Sequence, residues 1–536
     1  MIMNPSPKAK LQPIAKIARN LGISRKELKP HGDYIAKIEL DILKRIRNKP
    51  KGKYILVTAI TPTPFGEGKT TTTIGLSMAL SRLGELSSCC LRQASLGPVF
   101  GIKGGATGSG LSQILPGEEL NLHFTGDVHA VASAHNLCAA YLYNSLWQKN
   151  KLDIDEQRIY WRRVVDVSDR FLRNVKTGLG SIHDGIPSDS GFDITVASEI
   201  MAILALSKDY ADLRKRLAKI YLADTLSNKP ITPLDIKVVG AMSILLKDAF
   251  KPNLVQTLEN TPCFVHTGPF GNIAHGSSSI LADEIALRLS DFVVTEAGFG
   301  ADLGAEKFFN IKCRYSGLVP DCAVMVVSLR AIKMQGTDNL RKQIENVLMF
   351  GVPVVVAINR FNADVSKEIN LVIEKVKEFG ASDCVVSEVW QKGSKGGLDL
   401  AKAVIKASRQ KSKFKFLYSL NMPIKEKIKT IATKIYGAKD VEYSKQADGK
   451  ISAYTKAGWD KLPICMAKTH LSLSADPHAK GVPEDFILPV RDIRASVGAG
   501  FILPICGTIQ TMPGLPARPR GENMGIDDKG NIKGLL

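Results

Sequence analysis

The chain of 536 residues has no apolar run approaching the roughly 18 to 20 residues that a membrane helix needs. Its longest apolar stretches, near 322–329 and 351–358, have the length of buried strands, and no membrane partner is expected. The N-terminus, MIMNPSPKAKLQPIAKIARN, lacks the apolar core of a secretory signal. Asp33, Glu39 and Asp41 follow its basic residues closely, so a cytoplasmic location is a plainer reading than an organellar address. No C-x-x-C pair occurs among the 9 cysteines, which leaves a zinc ribbon or thioredoxin-like motif unsupported. Adjacent Cys89 and Cys90 read as small buried residues, and scattered thiols suit a reducing compartment. Acidic residues are in deficit, 52 against 72 Lys and Arg, for a net charge of +20. Such a field attracts anions, nucleic acid included. The lysines, however, spread along amphipathic segments at 365–378, 401–416 and 423–434, which favours solvated helix faces and ranks nucleic acid last among partners.

What is present is an alternation. Residues 8–49 have apolar residues at helical spacing, with SRKE at 24–27 as a capping signal, and are expected to be helical. KYILVTAI (53–60) is a short β-rich run, followed by a Gly-rich loop and an amphipathic helical stretch that closes at Gly84. TPCFVHT, FVVTEAG, DCAVMVVS and VPVVVAIN repeat the buried-strand pattern, separated by helical SSILADEIALRLS and DNLRKQIENVLMF. The expectation is an α/β fold: a P-loop NTPase-like, mainly parallel, doubly wound sheet with additional smaller α/β domains and its ligand loops at the strand C-terminal ends. Soft boundaries divide the chain at 1–340, 341–445 and 446–536, and the Pro- and Gly-rich tail after Cys506 reads as an ordered loop or surface extension.

The sharpest local signal is TPTPFGEGKTTTT (61–73). GEGKT ends like a phosphate-binding loop: Gly66 and Gly68 permit close backbone approach, Lys69 reaches terminal phosphates, and Thr70 is placed to ligate Mg2+. A helix begins there with its N-terminus toward the phosphates. The strict pattern wants a glycine where Thr63 stands. Thr63, Pro64, Phe65, Gly66, Glu67, Gly68, Lys69, Thr70 and Thr71 are the expected nucleotide-contacting residues, and a mere strand–helix turn is the bland alternative.

Ten further blocks accompany the loop in order: LRQASLGPVFGIKGGATGSG (91–110), ELNLHFTGDVHAV (119–131), RRVVDVSDR (162–170), FDITVASEIMAIL (192–204), NLVQTLENTPCFVHTGPFGNIAHG (253–276), TEAGFGADLGAEKFFNIKCR (295–314), VVAINRF (355–361), SEVWQKGSKGG (387–397), PICMAKT (463–469) and TMPGLP (511–516). With them, nearly the whole chain resembles the formate–tetrahydrofolate ligases. The resemblance implies that formate attacks the γ-phosphate of Mg-ATP to give formyl phosphate, which the N-10 amine of tetrahydrofolate then captures, yielding 10-formyltetrahydrofolate, ADP and phosphate. It implies ATP and Mg2+, with a monovalent cation, K+ or NH4+, as a further candidate. Formate and tetrahydrofolate, the latter in a polyglutamylated form among others, are the implied partners, and the assembly a homotetramer. Residues 1–340 would then bind nucleotide and formyl phosphate, and 341–445 would contribute the pterin site.

The implied roles fall on particular residues. Lys69 stabilises the transferring phosphoryl group, and Arg92 resembles a clamp on formyl phosphate, since a planar guanidinium can hold phosphate and carboxyl oxygens together. The family motif around it usually has an acid and a proline where this chain has Gln93 and Ala94. Asp127, in a stretch with His123 and His129 that reads as lining the formate and folate pocket rather than as a metal site, is a candidate catalytic group, as is His266 at a strand end with His275 beyond it, where a core or capping histidine is the alternative. Glu296 or Asp302 could bind Mg2+, and the glycines around Phe299, itself counted as cofactor-binding, suit backbone wrapped round a nucleotide or a cation. Phe361 and Trp390 resemble the aromatic pair that sandwiches the pterin. Asn362 stands where the family usually has proline. The rivals are a P-loop ligase for another carboxylate, a binding homologue without turnover, and a basic nucleic-acid binder.

Overall fold

A computed structural model describes residues 10–102 and 104–535. The first two residues of the 8–49 segment therefore lie outside the described residues, as do the first nine of the N-terminal stretch read for a targeting signal. The framework is a twelve-stranded mixed sheet. Its main order is Leu28–Pro30, Ala36–Ile38, Asn253–Thr257, Pro262–Val265, Ser87–Leu91, Phe292–Glu296, Lys53–Ala59, Cys322–Val327, Val354–Asn359 and Asp383–Ser387. From Pro262–Val265 onward every neighbouring pair is parallel. The other edge is antiparallel and carries the short hairpin Gly108–Ser109/Ser112–Leu115 on Asn253–Thr257. The expected α/β architecture with a mostly parallel sheet is present, together with smaller two- and three-stranded sheets.

Strand period two explains the layering. Tyr54, Leu56, Val293, Ala323, Met325, Val354 and Val356 enter one core, while Ile55, Val57, Val294, Val324, Val326, Val355 and Ala357 enter another on the opposite face. Helices Ile280–Leu287, Leu329–Leu348 and Ser366–Glu378 cover the first face; Lys69–Arg82 and Leu398–Ser408 cover the second. A third apolar cluster forms around helices Asp127–Trp147, Glu199–Leu206 and Val239–Leu245.

One expectation from the sequence is corrected. Within 10–49 only Ile14–Asn20 and Ile42–Ile46 are α-helical, and the chain between them supplies the two edge strands. Ser24 and Glu27 do form a capping box, but on a single 3-10 turn. Three-residue edge strands are too short to display an alternation, so helical spacing in their flanks dominates the reading. The helical stretch Leu329–Leu348 is kinked at Gly336 (φ 79°, ψ 163°), and strands Val354–Asn359 and Asp383–Ser387 beyond it continue the same sheet. Among the described residues no helix is long and apolar enough to cross a membrane.

Candidate functional site

Parallel pairing brings the C-terminal ends of Lys53–Ala59, Phe292–Glu296, Cys322–Val327, Val354–Asn359 and Asp383–Ser387 to one edge, where the conserved geometry of such sheets places ligands. The loop 60–68 leaves the central strand there and enters helix Lys69–Arg82. Gly66 and Gly68 have φ of 77° and 80°, a left-handed backbone that glycine adopts without strain. A Cβ at Gly68 would also lie 2.5 Å from Asn359 Nδ2. No side chain caps the helix start, so its first amides are open to an anion.

Glu67 holds this loop from within. Its carboxylate accepts from Thr63 N at 2.8 Å and from the Ser328 hydroxyl at 2.5 Å, while its carbonyl accepts from Asn359 Nδ2 at 3.1 Å. The side chain is buried, so its part in the loop is to fix the backbone, and only its neighbours face outward. Pro64, Phe65 and Gly66 form the exposed tip. Thr71 turns aside to Ser109, with the hydroxyls 3.1 Å apart.

Lys69, Arg92, Thr70 and Glu296 do converge. The Thr70 hydroxyl donates to Glu296 Oε2 at 2.7 Å, and Arg92 Nη2 stands 3.9 Å from Glu296 Oε1. Arg92 reaches Pro269 O only at 3.4 Å, and its buried Nε has no partner. Among the described residues Lys69 Nζ makes no hydrogen bond or close ion pair. Burial pulls its pKa below the ordinary lysine value; Arg92 pushes the same way, against the opposing pull of Glu296 and Glu67. A recessed ammonium with no protein acceptor, beside an under-used guanidinium, is a site prepared for an anion. The Thr70 hydroxyl and Glu296 carboxylate bring together hard oxygen atoms of the kind that could hold Mg2+. Asp302, the alternative magnesium ligand, is already occupied: it pairs with Lys468 at 2.8 Å in a fully buried contact and accepts from Gln343 at 2.9 Å. Gln93 is buried next to Arg92 in sequence, its backbone N–H donating to Thr267 O at 2.7 Å.

Asp127 and His266 fall elsewhere. Asp127 opens helix Asp127–Trp147, pairs with fully buried Lys37 at 2.7 Å, and accepts from Asn253 Nδ2 at 2.8 Å. Its oxygens are engaged in holding the helix to the edge strands. Asp127→Ala strands Lys37 without its partner and is expected to cost about 3–5 kcal/mol, read as a fall in denaturant midpoint; a loss under about 1 kcal/mol would contradict this account. His266 is fully buried, with Nδ1 2.6 Å from the Ser279 hydroxyl and Nε2 2.9 Å from Ala249 O. Both ring nitrogens are thus committed to structure, and no face is left for a substrate.

Burial lowers the His266 pKa from 6.5 to about 4. The unfolded chain therefore binds this proton below pH 6.5 while the folded chain does not. Its stabilising contribution is complete above 6.5 and declines as the pH falls toward 4. Removing the imidazole in His266→Gln should flatten the fall of stability over that window by up to about 1.4 kcal/mol per pH unit, and parallel wild-type and variant pH profiles would refute the assignment. His275 is buried as well, with both ring nitrogens unpartnered; burial, then Lys312 and Arg92, hold its pKa well below the usual value. His123 and His129 are exposed.

The aromatic candidates occupy adjacent strand exits, since Asn359 and Ser387 are paired in register. Phe361 is 41% exposed. Trp390 is braced by the hairpin: its carbonyl accepts from Leu111 N at 2.8 Å, and its ring packs on Gly110, where a Cβ would approach to 2.9 Å. Gln391 donates to Asn362 and ties the two loops, while among the described residues the two rings make no contact with each other. On the other side of the phosphate loop, Phe299 adopts φ 62° and stacks on His470 with centroids 4.5 Å apart. Beside them opens a mainly apolar cavity of about 990 Å³, lined among others by Pro64, Phe270, Leu471 and Ile509.

Sequence reading missed Arg330, Lys468 and His470. PICMAKT was the only signal near the last two, and Arg330 lay in no motif.

Residues 3–536 match the family model described as formate–tetrahydrofolate ligase. Formate–tetrahydrofolate ligases 3 and 1 of Rubrobacter xylanophilus are each 50% identical to this chain over 98% of both chains. The formate–tetrahydrofolate ligase of Roseiflexus castenholzii is 51% identical, again over 98% of each. Agreement of this extent, over a chain whose parallel sheet gathers Lys69, Arg92, Thr70 and Glu296 at one edge, places the protein in the formate–tetrahydrofolate ligase family, as an enzyme of the ligase class.

Proposed function

We propose that this protein uses Mg-ATP to join formate to tetrahydrofolate through formyl phosphate. The observation that carries the reading is the Lys69 ammonium, recessed at an open helix start without a protein acceptor and next to the loosely held Arg92. A carboxylate carbon is a poor electrophile, so the chemistry first needs a leaving group on formate. Lys69 and the helix-start amides hold the terminal phosphates and neutralise charge as it moves. Thr70 and Glu296 would hold Mg2+, which would supply further charge neutralisation there. Arg92 orients formate so that one carboxylate oxygen bonds to the γ-phosphorus while the bond to the ADP oxygen breaks. In the second step the N-10 amine bonds to the formyl carbon, and phosphate departs with the bonding pair and takes up the amine proton.

The pterin lies against Phe361 and Trp390, flat rings at adjacent strand exits that suit a flat partner. The cavity beside Pro64 and Phe299 is of the size that encloses a nucleoside, near the upper end of the roughly 300–1,000 Å³ range of ligand pockets. Water exclusion matters because an acyl phosphate hydrolyses readily. The test is ADP release from the purified protein: it should require both formate and tetrahydrofolate and form 10-formyltetrahydrofolate in equal amount. Turnover with other carboxylates but not formate would favour a different P-loop ligase.

A further inference from the structure

Arg330 lies on the first turn of helix Leu329–Leu348, outside every motif singled out above. Its guanidinium carbon stands 4.7 Å from the centroid of Phe65, at the tip of the phosphate loop, and 5.6 Å from that of Phe361. Arg330 Nη2 also donates to the Gly66 carbonyl at 3.2 Å. Phe65 is 77% exposed, so packing alone does not hold its ring. A planar cation reaching two aromatic rings supplies what packing lacks, since each exposed contact of this kind is worth roughly a two- to fivefold preference.

The surroundings make Arg330 a rigid link. Ser328 caps its helix by accepting from Ala331 N at 3.1 Å, and the same hydroxyl donates to Glu67. Asn359, two residues before Phe361, donates to the Glu67 carbonyl at 3.1 Å. Loop tip, helix start and the strand exit bearing Phe361 therefore share one set of contacts, and Arg330 is the member that touches both outer rings.

We infer that Arg330 is a positioning residue that couples the two halves of the site, so that nucleotide on the phosphate loop fixes Phe361 and tightens tetrahydrofolate binding. The inference rests on the function proposed above. Occupied phosphates anchor the Gly66–Lys69 backbone, the anchored tip holds Arg330 through the Gly66 carbonyl and Phe65, and Arg330 in turn holds the Phe361 ring in its stacking orientation. Linkage requires the effect to be reciprocal: tetrahydrofolate tightens nucleotide by the same factor.

The experiment is a pair of anaerobic titrations of tetrahydrofolate into the full chain, with and without a non-hydrolysable ATP analogue and Mg2+. In the wild type the nucleotide should lower the tetrahydrofolate Kd by about fivefold or more, the lower end of ordinary coupling. Arg330→Met, similar in reach but uncharged, should bring that ratio to within about twofold of unity while nucleotide affinity alone changes less than about threefold. Arg330→Lys, charged but without the planar face, should keep part of the ratio. Should Arg330→Met fold poorly, Phe65→Leu at the exposed tip removes one of the two ring contacts and should lower the ratio as well. A wild-type ratio of one, or an undiminished ratio in Arg330→Met, overturns the inference while leaving the proposed function standing. Failure of the wild type to bind either ligand overturns that function and the inference with it.

Discussion

Lys69→Ala should lower formate-dependent ADP release by about 10³-fold, through kcat more than through KM for ATP. That factor corresponds to about 4 kcal/mol of lost transition-state stabilisation, a reasonable share for one preorganised cation in a phosphoryl-transfer site. Burial disfavours the Lys69 ammonium; Glu296 and Glu67 oppose this through space, but among the described residues no acceptor hydrogen-bonds to it. In the proposed reaction, negative charge shifting from the γ-phosphate toward the ADP oxygen is what it would meet. The same reasoning predicts that the variant keeps its thermal stability, because alanine relieves a desolvated charge without leaving a partner behind. A loss below about tenfold in single-turnover ADP formation would show that Lys69 does not face the transferring group.

Arg92 carries the second large effect. Its three nitrogens are poorly satisfied: one 3.4 Å contact to Pro269 O, one 3.9 Å approach to Glu296, and a buried Nε with no partner. A guanidinium left in this state gains most when a planar, two-oxygen anion arrives. Arg92→Lys preserves charge and loses the fork, so it should cost about 10²-fold in kcat/KM for formate while nucleotide affinity changes less than about threefold. Arg92→Ala should cost more than Arg92→Lys in the same assay. Equal activity in the lysine variant and the wild type would mean that a point charge suffices and that the two-oxygen clamp is absent. Gln93 bears on this outcome, since it replaces the family's usual acid next to the arginine and brings no carboxylate to compete for it.

Both predictions concern residues whose neighbourhood was legible from local pattern. A β-rich run, a loop with two glycines and an amphipathic helix in that order admit few arrangements, and strand Lys53–Ala59 followed by helix Lys69–Arg82 is what the chain forms. The remaining central strands were equally legible, because segments buried on both faces read as continuous apolar runs. Leu28–Pro30 and Ala36–Ile38 were not: three-residue edge strands carry no period, and Lys37 within the second hides its complete burial behind a polar side chain. The helical reading of DNLRKQIENVLMF holds, because Leu340, Ile344 and Val347 recur at helical spacing and enter the core.

The chain by itself determined the central strands and the helices between them, the Gly-rich loop after the first of these strands, and the family, because each of these resides in neighbouring residues or in motifs in fixed succession. Tertiary structure alone decided which polar groups remain available to a ligand. Asp127 and Lys37 are 90 positions apart, and Asp302 and Lys468 are 166 apart, yet each pair closes into a buried contact that removes a candidate from the site. Lys69 is left open by the same folding that fills the others. Residue type tells what a side chain can bond to, whereas only the packed fold brings an acceptor within about 3 Å of it or withholds one.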